Sequence, residues 1–125
     1  QDSEATVRVL TGGVRIVHHS NAPLPTEKDP GPDGLPILVW FSATWCTTCA
    51  SMDSFAPDVL SSFEGRLVSI EKSIDHDKTS VDRYSIRGTP TFLLIDATGR
   101  EVGRFNYVGS AEALRQAIEQ AIARL

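Results

Sequence analysis

Cys46 and Cys49 are the only cysteines in this 125-residue chain, and two threonines separate them. That spacing rules out a structural bridge between distant elements and leaves two chemistries, a redox pair or half of a metal site. The pair directly follows the apolar run Ile37-Leu38-Val39-Trp40-Phe41, and after it Met52, Phe55 and Ala56 recur at helical spacing. Cys46 is thereby expected at a helix N-terminus, where unpaired N–H groups and the helix dipole favour a thiolate. Cys49 falls one turn inside. In a redox pair, Cys46 is then the exposed, attacking thiol, and Cys49 resolves the mixed disulfide and releases the partner. Trp45 is placed to shield one side of the sulfur and to offer a partner chain an apolar surface.

The other reactive side chains carry less. His18-His19 and Asp75-His76-Asp77 could be imagined beside the cysteines around zinc, which wants four ligands, and a single Cys-x-x-Cys supplies two. The histidines therefore read as exposed loop residues, and no metal is expected. Gly12-Gly13 leads into a strand pattern, so it is no phosphate-binding loop. Lys and Arg are scattered, and 12 of them against 16 acidic residues leave a net charge of −4, mild and of the wrong sign for nucleic-acid binding. A hydrophobic share of 41% with 22% charged residues is that of an ordinary globular chain. No apolar run approaches the ~18–20 residues that span a bilayer. The start has no basic region followed by an apolar stretch, so no signal peptide is expected, and Gln1 in first place reads as a processed or trimmed product.

The elements that must position the cysteines follow from pattern. Val7 to Leu10 and Val14 to Val17 read as two short strands around Thr11-Gly12-Gly13. Residues 20–36 hold five prolines and read as a long surface loop, placed by its position upstream of the apolar strand to border a substrate groove. Residues 37–41 read as a strand covered on both faces. A bent helix or two short ones follow, interrupted at Pro57. A second central strand is expected at 67–74, a short helix at 79–84, a third strand at 91–95, a turn at 96–99 and a returning strand at 101–107. Ser110 caps a last helix with an apolar stripe from Ala113 to Leu125. The order predicts a three-layer α/β domain with one mixed sheet, a single unit over 1–125 with an N-terminal hairpin-like extension over 1–19 and a core over 37–125.

The segment Phe41-Ser42-Ala43-Thr44-Trp45-Cys46-x-x-Cys49 resembles the active site of the thioredoxin superfamily, and Tyr84-Ser85-Ile86-Arg87-Gly88-Thr89-Pro90-Thr91 resembles the loop carrying its cis-proline. The resemblance runs from about Pro36 to the C-terminus. It implies a thioredoxin-like fold and a protein thiol–disulfide oxidoreductase. Pro90 would be cis and set against the cysteine pair, with Thr89 pairing its backbone with an extended substrate segment and tuning the sulfur chemistry. No cofactor is implied beyond the Cys46–Cys49 disulfide. The chain departs from the family in three places. Thr47-Thr48 stands between the cysteines without proline or histidine. Trp40 occupies the position of the family's buried aspartate, which assists proton transfer to the second cysteine. The family's first helix has no counterpart in 20–36.

Glu71 falls where the family has a buried lysine. It shares a strand face with Ser69 and Ser73, so periodicity reads it as solvated, with a substitute proton acceptor as the alternative. Asp53 reads as a surface helix residue. In the missing helix and in Cys49-x-x-Met52-Asp53 the chain is similar to exported thioredoxin-like proteins and to the soluble domain of transmembrane thiol:disulfide interchange reductases. That resemblance implies a monomer reducing protein disulfides outside the cytoplasm, periplasmic or equivalent, with electrons from an upstream donor. A cytoplasmic location, an oxidase or isomerase of the same fold, and a non-catalytic binding module stay open as alternatives.

Overall fold

The computed structural model describes residues 6–9, 16–19, 23–31 and 34–125. The expected glycine turn at 11–13 and residues 20–22 lie outside the described residues. Ten elements follow in order: β1 (Thr6–Val9), β2 (Ile16–His19), β3 (Ile37–Ser42), α1 (Thr47–Met52), α2 (Ala56–Ser61), β4 (Val68–Ser73), α3 (Lys78–Arg83), β5 (Thr91–Ile95), β6 (Glu101–Phe105) and α4 (Ala111–Ile122). The strands form one mixed sheet in the order β1-β2-β4-β3-β5-β6. β3 runs parallel to β4 and antiparallel to β5, and β2 joins the far side of β4 in parallel.

β3 lies between β4 and β5, and all six of its residues are buried, as its unbroken apolar run requires. Its alternate side chains feed two cores. Leu38 and Trp40 pack with Met52, Val59, Leu60, Leu114 and Ile118 beneath α1, α2 and α4. Ile37, Val39 and Phe41 pack with Tyr84, Ile86, Leu93 and Ile95 on the α3 side. Helices on both faces of a mixed sheet make the three-layer α/β arrangement. The stretch after Cys49 resolves into two short helices, with Pro57 in the first turn of α2, where its missing N–H loses nothing. Ser110 caps α4 by accepting from the Ala113 N–H at 3.1 Å.

Two expectations are corrected here. His18 and His19 belong to β2, opposite Ile70 and Glu71 in the sheet register, and are not loop residues. The described part of the proline-rich segment does not border the site. It lies at the opposite end of the sheet, because it leads into the start of β3 while the cysteines follow its end. There the Gly31 N–H donates to the Ala97 carbonyl at 2.6 Å, and Leu24 is buried in the core on the α3 side. Gly99, at φ +88°, has no room for a side chain: a Cβ would collide with the Pro25 carbonyl oxygen. The Tyr84 hydroxyl donates to the Gly99 carbonyl and closes this end.

Candidate active site

After Ser42 the chain turns, with the Cys46 N–H donating to the Ala43 carbonyl at 3.1 Å, and Cys46 becomes the N-cap of α1. Cys46 and Cys49 form a disulfide with Cα atoms 5.3 Å apart. The Cys46 Sγ accepts from the Cys49 backbone N–H at 3.1 Å and lies 3.4 Å from the Thr48 hydroxyl oxygen. Of the two sulfurs, that of Cys46 accepts a helix-start N–H, which marks it as the one whose negative charge would be stabilised. The expected difference in exposure is absent: the residues are 6% and 5% exposed, so Cys46 is no more open than Cys49 in the disulfide state. Both pack with Ala43 and Ile74. Trp45 beside them is 64% exposed, and its indole N–H donates to Asp75 at 3.4 Å, across the turn that follows β4.

Thr91 pairs with Phe41, so the segment before β5 emerges at the same end of the sheet as Cys46. The Thr89–Pro90 peptide bond is cis, and Pro90 is buried. The loop is held from two sides. The Thr91 hydroxyl donates to the Gly88 carbonyl at 2.6 Å, and the Asn106 amide donates to the Thr91 hydroxyl at 3.1 Å and to the Pro90 carbonyl at 3.4 Å. The Thr89 hydroxyl is buried and has no hydrogen-bond partner among the described residues. Asn106 was not marked by any pattern in the sequence, where it falls inside the expected returning strand at 101–107; β6 ends one residue before it.

Glu71 lies behind the disulfide. It is 8% exposed, not solvated, and the Ser42 hydroxyl donates to its Oε2 at 3.2 Å. The polar face of Ser69, Glu71 and Ser73 is covered because it is the face on which Leu38 and Trp40 pack beneath the helices. A cavity of ≈ 200 Å³ is lined by Cys46, Cys49, Ser42, Glu71 and Asp53 among others. That volume holds several waters. Asp53 is an exposed residue at the C-terminus of α1, as expected, yet it reaches this cavity. Trp40 stands directly opposite Glu71 in the register. Its ring stacks on Phe92 at 5.5 Å, and Phe92 stacks on Phe105 at 4.9 Å. An indole N–H donates only, so Trp40 cannot accept a proton from a thiol.

On the other face, Lys72 and Asp77 form a 2.7 Å ion pair with side chains 1% and 5% exposed. Asp77 also caps α3, accepting from the Ser80 N–H at 2.9 Å and hydroxyl at 2.8 Å. Burial lowers the Lys72 ammonium pKa, and the Asp77 hydrogen bond and charge offset this only in part. Burial pushes the Asp77 carboxyl up, but Lys72 and the Ser80 hydrogen bonds outweigh it and hold it below the usual carboxylate range. The pair was missed in the sequence, although Asp77-x-x-Ser80 carries the N-cap signal. No group of three His, Cys, Asp or Glu able to hold a metal occurs among the described residues.

The thioredoxin family model matches residues 33–120. The chain belongs to the thioredoxin family. It is 32% identical over 75 residues to a thioredoxin of Buchnera aphidicola, covering 58% of this chain and 69% of that one. It is 33% identical over 82 residues to a thiol:disulfide interchange protein TxlA homolog of Synechocystis, covering 64% of this chain but only 44% of the relative. Among solved structures, the germline-specific thioredoxin Deadhead of Drosophila melanogaster superposes with a TM-score of 0.63 at 24% identity, over 70% of this chain and 82% of that one. Fasciola hepatica thioredoxin superposes with a TM-score of 0.59 at 27% identity over the same shares. The protein is a thioredoxin-family thiol–disulfide oxidoreductase acting on protein disulfides, and Cys46–Cys49 is its redox-active disulfide. Proteins of this family use their own disulfide as the redox group, without a cofactor. No helix among the described residues is long and apolar enough to cross a membrane.

Proposed function

We propose that this thioredoxin-family protein reduces protein disulfides outside the cytoplasm, with Cys46 as nucleophile, Cys49 as resolving thiol and Glu71 as proton acceptor. The observation that carries the assignment is the N–H of Cys49 directed at the Cys46 sulfur. In the dithiol state that donor stabilises a Cys46 thiolate, which attacks one sulfur of the substrate disulfide. A mixed disulfide forms and one substrate thiolate leaves. Cys49 then loses its proton and attacks the Cys46 sulfur, closing the internal disulfide and expelling the second substrate thiolate. The substrate gains two electrons and the protein loses them, so an upstream dithiol donor must restore it. Thr89 presents backbone to the substrate segment in the manner of strand addition, with Pro90 beneath it. The extracytoplasmic compartment is supported by the resemblance around Cys49-x-x-Met52-Asp53 to exported thioredoxin-like proteins. Cell fractionation decides between it and the cytoplasm.

Direction is a matter of potential. Equilibration with glutathione buffers should give a value near that of reducing thioredoxins, about −270 mV, and a value near −120 mV would make the protein an oxidant instead.

Glu71 takes the proton that the family's aspartate would take, through water in the cavity it shares with Cys49. Glu71→Gln should slow turnover by about a hundredfold, the lower end of what general acid–base groups contribute. The mixed disulfide should accumulate meanwhile, because the first attack does not use this carboxylate. Unchanged turnover in quenched-flow measurements would remove Glu71 from the mechanism.

A further inference from the structure

Beside the cis-proline loop runs an open groove of ≈ 460 Å³, lined by Arg87, Gly88, Thr91, Glu101, Arg104 and Asn106 among others. Its two guanidinium groups differ. Arg104 is committed: it holds Glu101 through two contacts of 2.7 and 2.8 Å and donates to the Tyr84 carbonyl at 2.6 Å. Glu101 is equally spent on it. Arg87 is exposed and takes part in no ion pair among the described residues. The groove therefore carries one uncompensated positive charge. On the β4 side of the disulfide, the exposed Asp75 carboxylate accepts the Trp45 indole N–H. Cys46 thus has an acidic residue on its β4 flank and Arg87 on its β5 flank.

We infer that Arg87 is a specificity-determining residue, selecting substrate segments with an acidic side chain about two residues from the attacked cysteine. The inference rests on the redox reading above and on strand addition at Thr89. Arg87 precedes Thr89 by two residues and lines the groove on that side of the loop. A segment lying against Thr89 therefore runs past Arg87 about two residues further along. Placed there, a carboxylate meets the free guanidinium, and a lysine meets repulsion. Asp75, on the opposite flank, disfavours the same acidic segment bound in reverse, so the charges also orient the substrate.

The test uses three peptides, each closed by one disulfide, that differ only in Glu, Gln or Lys two residues from the attacked cysteine. Rates of reduction by the dithiol protein are compared as ratios within each variant. Wild type should favour Glu over Gln by about two- to fivefold, the size of an exposed ion pair, and Gln over Lys by a similar factor. The preference should shrink towards one in 0.5 M salt. Arg87→Lys should keep most of it, Arg87→Gln should lose it, and Arg87→Glu should reverse the order. Equal ratios in wild type and Arg87→Gln would overturn the inference while leaving the redox reading intact. Reduction of none of the three peptides would overturn both.

Discussion

Replacing Cys49 with serine is expected to turn the protein from a catalyst into a trap. Cys46 keeps its donor from the backbone N–H of residue 49, so it still attacks, but nothing resolves the mixed disulfide. Substrate proteins should then be recovered covalently bound, and should be released by dithiothreitol. Insulin reduction should fall to the rate of dithiothreitol alone. Cys46→Ser should show the same background rate and trap nothing. The contrast between the two variants assigns the roles, which near-equal burial of the two residues in the disulfide state cannot do. If Cys46→Ser instead reduced insulin as fast as the intact protein, the disulfide would be structural and the chain a binding module.

The second large effect concerns stability and lies away from the sulfurs. Lys72→Met should destabilise the protein by about 3–5 kcal/mol in urea denaturation at pH 7, because it leaves the buried Asp77 carboxylate without its counter-ion. Combining Lys72→Met with Asp77→Ser removes both charges and keeps an oxygen to cap α3, so most of the loss should be recovered. The pH dependence has a definite sign. Asp77 is held below its ordinary range in the folded state, so its contribution is complete above the unfolded carboxyl pKa. It is lost as pH falls through the lower folded value. The lowered Lys72 value is a burial penalty carried at neutral pH and relieved only in the alkaline range. Wild type should therefore lose more stability between pH 5 and pH 3 than the double variant does. Equal losses would show that other carboxylates dominate acid unfolding.

Much of the frame was legible because its signals are local. The unbroken apolar run of β3, the cysteine spacing, the turn at 96–99 and the Ser110 cap each depend on a few neighbouring residues. What escaped depends on residues far apart in sequence. Glu71 alternates with serines and reads as wet, and only the helices packed over Leu38 and Trp40 cover its face. Lys72 has the opposite problem, since a charged residue on a strand gives no hint that Asp77 will close over it. His18 and His19 looked like loop residues because nothing local announces that β2 adds to the edge of β4. The proline-rich segment was placed beside the site from its proximity in sequence to β3. A six-residue strand rises ~20 Å, enough to carry the cysteines to the other end of the sheet.

Strand β3 has a consequence for how the redox pair moves. It is hydrogen-bonded on both sides and wholly buried, the surroundings in which amide protons exchange most slowly with solvent. The helix on the far side of Cys46 spans only six residues, with no acidic side chain in its first turn and no basic one in its last. A helix that short holds little cooperativity of its own. The two sulfurs thus stand between a slowly exchanging strand and a short helix that is held chiefly by its buried Cys49 and Met52. Like a latch on a fixed post, the disulfide opens and closes against a protected strand that keeps Cys46 in register with the incoming chain.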